Sequence, residues 1–241
     1  MSTGFPNSNF QAQNSSKVQN IWNSDHALSD EGSFFTFTNT PGTAIATTTS
    51  VVDDAATASA THAQNVPVMT IVNGWSATDS QAKCIYMKYL RMVISQVPTS
   101  ATAWNYAWRL DPNPANITTA GTVITPVNPN SNSGTLSKAS INFGTIVTSL
   151  PVAAQARLVS AGQIAGAIPV TKDQWMFAFG NPVPVGDSIG TQTLVKNITA
   201  NVPPIVIAPG WMLKLEMWAA SNAAAPSWEF EGAFVERPTG Q

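Results

Sequence analysis

The sequence contains few charged residues. Asp, Glu, Lys and Arg make up 10% of its 241 residues, whereas about a quarter is usual in a soluble protein. The formal net charge is −2 and no basic patch is present, which argues against direct binding to nucleic acid. A free monomer normally needs more surface charge to stay in solution. The composition therefore predicts a protein that associates with copies of itself or is buried in a larger assembly.

Cysteine is almost absent as well, since the sequence has only Cys84. One cysteine excludes an intrachain disulfide and a thiolate metal site. Cys84 opens the apolar stretch 84–97, so we predict that it is a small buried hydrophobic residue. The adjacent residues Asp53 and Asp54 lack the further spaced oxygen ligands of a calcium site. Neither a metal nor a cofactor is therefore expected.

Long hydrophobic runs are missing too. No run of about 18 apolar residues exists, so no membrane-spanning segment is expected. The first residues lack the basic n-region and the apolar h-region of a secretory signal. We therefore expect a protein that is made and used without secretion.

Short apolar runs separated by turn residues fill most of the chain. Hydrophobic residues make up 44% of the sequence, which is enough for a sizeable core. No stretch has a sustained helical period with caps, and Pro, Gly and Asn separate about ten to twelve strand-like runs. The predicted strands are 33–38, 66–72, 84–97, 101–110, 121–127, 140–148, 155–168, 174–179, 192–200, 211–218 and 228–236. Their spacing predicts an all-β fold: a β-sandwich, a jelly-roll-like body or a barrel.

The last two predicted strands, 211–218 and 228–236, have the clearest alternation of apolar and charged residues. One face of each is apolar, and these positions are Trp211, Leu213, Leu215, Met217, Trp228, Phe230 and Phe234. The opposite positions are Lys214 and Glu216 in the first strand, and Glu229 and Glu231 in the second. Such a period of two indicates half-buried strands. We predict that they pair as an antiparallel hairpin, with the four charged residues together on a solvated face.

The first 31 residues are polar, rich in Asn, Ser and Gln, and almost free of periodicity. Four apolar residues occur in them at irregular spacing: Phe5, Phe10, Ile21 and Trp22. Scattered apolar residues are typical of a segment that binds along an extended path, with a few residues carrying the affinity. We predict an extended N-terminal arm, 1–32, that docks on a neighbouring subunit or on its own body, 33–241. A disordered terminus is the alternative for residues 1–15.

Two sets of residues suggest enzymatic chemistry. A G-x-S-x-G motif surrounds Ser188, but both histidines precede it, which excludes the α/β-hydrolase order. The order His62, Asp111, Ser188 is that of a trypsin-like protease, yet Ile189 stands where that signature needs Gly to shape the oxyanion-hole turn. We therefore interpret the motif as a polar surface loop, and a trypsin-like protease is only a third alternative.

Paired carboxylates are the second set, because glycosidases use two of them. Glu216, Glu229 and Glu231 are the candidates, but the predicted hairpin turns them outward beside Lys214, which favours a solvated face. Among the eight tryptophans, Trp75 beside an Asn-Gly turn is the best candidate for an exposed carbohydrate platform. No catalytic set is predicted, so we expect a protein that is not an enzyme.

Several stretches resemble a known group of proteins. They are 31–43 (EGSFFTFTNTPGT), 121–128 (GTVITPVN), 177–180 (FAFG), 203–210 (PPIVIAPG) and 228–231 (WEFE). In their order along the chain they resemble virion proteins of tailed bacteriophages, specifically capsid decoration (cement) or head-associated proteins. The resemblance implies a β-sandwich body, a homotrimer, and a structural role in which neighbouring subunits of the major capsid protein are clamped together.

From this resemblance we expect a structural protein of the outer capsid surface, made in the host cytoplasm, with the major capsid protein as its partner. Its effect would be to oppose the internal pressure of the packaged DNA. A tail or surface-fibre module that binds host glycans is the alternative. Exposed aromatic residues around a groove would favour the glycan module, whereas a flat trimer base with an outstretched arm would favour the cement protein.

Overall fold

Most strands of the computed structural model lie in two large sheets. The described residues are 10–13, 18–21, 24–40, 42–46, 65–96, 104–148, 157–165, 170–180, 197–219 and 226–238. They contain strands β1 to β15, one short helix, α1 (Ser24–Asp30), and a 3₁₀ turn at Pro114–Asn116. Strands β1 (Phe10–Gln13) and β2 (Val18–Ile21) form a separate two-stranded sheet.

The first large sheet has six antiparallel strands. In spatial order they are β10 (Arg157–Ala165), β7 (Trp104–Asp111), β14 (Met212–Ala219), β5 (Met69–Asn73), β9 (Ala139–Thr148) and β8 (Ile117–Ile124).

The second large sheet has seven strands, of which five follow one another in space. These are β12 (Asn197–Val202), β11 (Gln174–Phe179), β6 (Lys83–Gln96), β15 (Ser227–Pro238) and β3 (Phe34–Thr38). Two short strands complete it, β13 (Val206–Ile207) on β6 and β4 (Ile45–Ala46) on β15. Its pairs are antiparallel except β11 with β12, which is parallel.

The core lies between the two sheets. Phe143 of the six-stranded sheet stacks on Phe230 of the seven-stranded sheet, with ring centroids 4.1 Å apart. Trp108 meets Phe177 edge to face across the same interface at 5.3 Å. Aromatic pairs in these geometries stabilise a fold beyond the area that they bury. The prediction of an all-β, sandwich-like fold is therefore confirmed.

The predicted C-terminal hairpin is wrong, because its two strands lie in different sheets. β14 pairs with β5 and β7, whereas β15 pairs with β6, β3 and β4. The apolar faces were predicted correctly, since Leu213, Leu215, Trp228 and Phe230 are all buried. Alternation shows which face of a strand is apolar, and two strands that face each other across a sandwich satisfy it as well as two paired strands do.

The predicted solvated face of β14 is wrong as well. Lys214 is 0% exposed and Glu216 is 1% exposed, although both point away from the core. β14 lies in the middle of the six-stranded sheet, and there both faces of the strand are buried. On β15 the predicted solvated face is closer to what the structure shows, since Glu229 and Glu231 are partly exposed.

Strand β6 changes face at a bulge. Its register with β15 shifts between the pairs Tyr89↔Ala233 and Met87↔Phe234, so β6 carries one additional residue there, Lys88. The inward residues are Ile85, Met87, Leu90, Met92 and Ile94. Strict alternation along the strand would place Met87 and Leu90 on opposite faces, and the inserted residue is the reason why both face the core.

The N-terminal segment, which the sequence presents as an arm almost free of periodicity, contains three short elements, β1, β2 and α1. A seven-residue helix is too short to give a helical period in the sequence. α1 contacts the body: Lys88 Nζ lies 2.9 Å from the carboxylate of Asp25, Leu28 is buried, and Asn130 Nδ2 donates a hydrogen bond to the carbonyl of Ser29. The end of the predicted arm therefore packs on the body.

Candidate functional site

The predicted binding residues of the arm are described only in part. Phe5 and Trp22 lie outside the described residues. Phe10 and Ile21 are backbone partners in the antiparallel ladder of β1 and β2. The structure thus brings two of the four predicted residues together at one end of a two-stranded sheet, which sequence spacing did not predict.

A groove of about 440 Å³ lies where β4 of the seven-stranded sheet approaches β8 of the six-stranded sheet. Residues from 39–46, 121–124 and 145 line it. Their polar groups are mostly hydroxyls, from Thr40, Thr43, Thr122 and Thr145. Within the described part of the chain, no charged or aromatic side chain lines the groove. It suits an uncharged ligand that makes hydrogen bonds, such as a backbone or a sugar.

Two glycines shape this groove. Gly121 has a φ of 65° at a register shift between β8 and β9, and a Cβ there would lie 2.7 Å from the carbonyl oxygen of Phe143. Gly144 has a φ of 98°, and its Cβ would lie 2.9 Å from the carbonyl oxygen of Ala46. Only glycine fits both the conformation and the close approach. The two glycines are visible in the sequence, but the sequence does not show that segments 39–46 and 121–124 meet at this groove.

Trp75, the candidate carbohydrate platform, contacts a glutamate and a lysine side chain. Its indole N–H donates a hydrogen bond to the carboxylate of Glu236 at 3.0 Å. Lys138 Nζ lies 3.9 Å from the centroid of its ring, in a cation–π geometry. The carboxylate of Glu236 also accepts a hydrogen bond from the hydroxyl of Ser137. Trp75 is therefore partly buried, with Lys138 over its ring and Glu236 at its edge, and it is not a freely exposed platform for a sugar.

Four charged residues form two ion pairs across β7 and β14, on the outer face of the six-stranded sheet. Arg109 Nε lies 3.1 Å from Glu216 Oε1, and Lys214 Nζ lies 3.4 Å from Asp111 Oδ2. Arg109 and Lys214 are direct partners in the register, so each cation turns diagonally to a carboxylate. Lys214, Asp111 and Glu216 are almost completely buried. This cluster lies in the folded interior and is not an open site.

The candidate catalytic residues are not assembled among the described residues. Asp111, proposed to orient His62, contacts Lys214 instead, while His62 and Ser188 lie outside the described parts. Glu216 lies on the outer face of one sheet and Glu231 on the outer face of the other, where Arg91 binds it at 2.7 Å. The sandwich separates Glu216 from Glu231, so these two carboxylates do not form the pair that a glycosidase needs, whereas Glu229 lies on the same strand as Glu231.

The described parts of the chain bear on three further features: a metal site, a membrane-spanning helix and the thiol of Cys84. They contain no group of three or more His, Cys, Asp or Glu residues that could bind a metal ion. No described helix is both long enough and apolar enough to cross a bilayer. Cys84 is buried, as predicted, and burial raises the pKa of its thiol.

Comparison with known proteins gives no relative of this chain: no protein-family model, curated protein or solved structure matches it significantly.

Proposed function

We propose that this chain is a structural, non-enzymatic protein of a tailed-bacteriophage particle. In this role it decorates the outer surface of the capsid, binds the major capsid protein and stabilises the shell, and it acts as a homotrimer. The family resemblance of the sequence motivates the proposal. It is compatible with the sandwich-like body, on whose sheets segments of other proteins can pack.

The observation that carries the proposal is the arrangement of the N-terminal segment. Among the described residues, β1 and β2 pair with each other and with neither large sheet. Helix α1, which follows them, contacts the body through Leu28 and through the ion pair of Asp25 with Lys88. A segment that has its own backbone pairing and is joined to the body by a packed helix is suited to bind a neighbouring subunit.

The scarcity of charge supports the same role. A subunit that covers several capsid proteins buries a large uncharged area, and few charges then have to be desolvated. The chain has 10% charged residues, and the groove between β4 and β8 has no charged side chain in its described lining.

A glycan-binding tail or fibre module is the second candidate. The hydroxyl lining of the groove between β4 and β8 favours it, because sugars are bound through hydrogen bonds. The absence of an aromatic lining from the described groove, and the partial burial of Trp75, make this candidate weaker.

Binding to capsids tests the proposal. Capsids assembled without this protein are mixed with the full chain, with a chain that lacks residues 1–23, and with the variants Phe10→Ala and Trp22→Ala. The matched control is Leu136→Ala, which removes a side chain that is 85% exposed on a loop of the body. A binding residue of the arm should contribute about 2 kcal/mol or more, which corresponds to a loss of roughly 30-fold in affinity.

Sedimentation with the capsids gives the affinity of each variant. We expect the control to bind like the full chain, and the arm variants to bind much more weakly. Failure of the full chain to bind capsids, together with binding to a host glycan that Thr122→Val abolishes, would replace the proposal by the second candidate.

A further inference from the structure

The ion pair of Lys214 with Asp111 is unusual because it is almost completely buried and is not hydrogen-bonded. The two side chains are 0% and 1% exposed, and Nζ lies 3.4 Å from Oδ2. Within the described part of the chain neither atom has a hydrogen-bond partner, because the pair does not have hydrogen-bond geometry. A buried ion pair normally depends on good hydrogen bonds to offset the cost of removing its charges from water. An amine and a carboxyl group that lie side by side, and are not held by hydrogen bonds, can also react with each other to form an amide.

The strand register explains why these two groups meet. Met212 is the direct partner of Asp111, and Lys214 is the direct partner of Arg109. Arg109 binds Glu216, so the lysine is left with the carboxylate two residues along β7. The other oxygen of Asp111 accepts a hydrogen bond from the backbone N–H of Asn113 at 2.9 Å, which fixes the orientation of the carboxylate.

We propose that Lys214 and Asp111 are joined by an intramolecular isopeptide bond between β7 and β14. A proton passes from the ammonium group to the carboxylate within the pair. The amine nitrogen then attacks Cγ of Asp111, and a bond between Cγ and oxygen breaks. The leaving oxygen departs as water with a second proton from the nitrogen. One ammonium and one carboxylate thus give one amide and one water, without an oxidant or any other reactant.

Burial and fixed positions favour this step. Two groups that are held at contact distance react as if at very high concentration. The product is neutral, so the reaction also removes two charges from the interior. The chain has one cysteine and no intrachain disulfide, and this bond would be a covalent link between two central strands of the sheet.

Two other lysine–aspartate pairs serve as internal comparisons. Lys88 and Asp25 are closer, at 2.9 Å, but their side chains are 30% and 46% exposed. Lys138 and Asp79 are 3.9 Å apart and also partly exposed. Water solvates both of these pairs, so we expect them to remain ordinary ion pairs.

Mass spectrometry of the denatured full-length protein tests the proposal. We expect the intact mass to be lower than the sequence mass by one water. Trypsin should not cleave after Lys214, and the digest should contain peptide 110–138 joined to peptide 197–241. The variants Lys214→Arg and Asp111→Ala should have the full sequence mass, whereas the control Lys88→Arg should still lack one water.

The peptide map of the unmodified sequence decides the question even if a variant fails to fold. Recovery of the separate peptides 197–214 and 215–241, with the unlinked peptide 110–138, shows that Lys214 is free and overturns the proposal. Loss of water together with cleavage after Lys214 overturns it as well, since the water then comes from another reaction, such as succinimide formation.

Discussion

Arg109 and Glu216 form an ion pair on the outer face of the six-stranded sheet, and their side chains are 12% and 1% exposed. Removal of one member leaves the other without this partner in a place where water does not reach it easily. Replacement of both by apolar residues removes the two charges together. The energetic role of the pair can therefore be separated from the cost of burying a single charge.

We predict that Arg109→Leu lowers the free energy of unfolding by about 3 kcal/mol, because the buried Glu216 loses its ion pair with Arg109. The double variant Arg109→Leu with Glu216→Leu should recover most of this loss. Urea unfolding followed by tryptophan fluorescence measures both values. Equal losses in the single and the double variant would show that the pair contributes through packing and not through charge.

Cys84 is the only thiol, and its burial raises its pKa. We predict that iodoacetamide alkylates it at neutral pH at least about tenfold more slowly in the folded protein than in urea, since the thiolate is the reactive form. The sign of the pH effect follows from the same shift. As pH rises past the ordinary thiol value, the unfolded chain loses the proton first, so this residue lowers the stability of the fold. Fast labelling of the native protein would contradict the burial of Cys84.

Strand β15 packs against β3 at a position where no Cβ fits. Gly232 lies opposite Phe37, and a Cβ on it would be 2.7 Å from ring atom Cε1 of that buried side chain. An aromatic ring in the core has little room to move, so an added methyl group causes overpacking.

We predict that Gly232→Ala lowers the free energy of unfolding by about 1–3 kcal/mol. Gly134→Ala is the matched control, because nothing lies within 4 Å of its added Cβ. Thermal unfolding of the two variants by circular dichroism gives the comparison. A neutral effect of Gly232→Ala would mean that β3 and β15 can separate at this point without cost.

Helix α1 changes the expectation for the N-terminal arm. From the sequence, deletion of residues 1–32 should leave the stability of the body nearly unchanged. The structure distinguishes the residues before helix α1 from the helix itself. Leu28 of the helix is buried, and the carbonyl of Ser33, which follows the helix, accepts a hydrogen bond from the backbone N–H of Glu236. The residues before the helix and the helix itself should therefore behave differently.

We predict that deletion of 1–23 leaves the melting temperature of the body within experimental error. Deletion of 1–32 should lower the free energy of unfolding by about 1.5–3 kcal/mol, which is the value for burying one leucine side chain. Calorimetry of the two truncated chains tests this. Unfolding of the body by the shorter deletion would show that β1 and β2 belong to its core.

The whole chain has few charged residues, and apolar side chains are exposed in its described parts. Two apolar side chains at opposite edges of the six-stranded sheet, Val123 and Leu158, are 59% and 57% exposed. With only 10% charged residues, this surface is suited to packing against other protein.

We predict that the isolated protein sediments as a trimer at micromolar concentration, because self-association removes neutral surface from water. Analytical ultracentrifugation over a range of protein concentrations measures the mass. A monomer at every concentration, and a monomer on the capsid as well, would contradict this prediction.

The sequence by itself determined the fold class and the inward, apolar faces of β14 and β15. β11 has the predicted bounds, and β6, β7, β9 and β14 lie within about one to three residues of theirs. Leu213, Leu215, Trp228 and Phe230 face the core as predicted. These features depend on local properties, namely the alternation of side chains along an extended backbone and the conformations of Pro, Gly and Asn at turns.

Only the tertiary structure decided which strands are partners, that Lys214 and Glu216 are buried, and where the groove lies. The pairing of β15 with β3 joins residues about two hundred positions apart, and no local pattern specifies such a contact. Lys214 reads as a solvated residue because alternation describes one face of a strand. Its burial depends on what packs on the outer face of β14, and only the packing of the whole chain sets that.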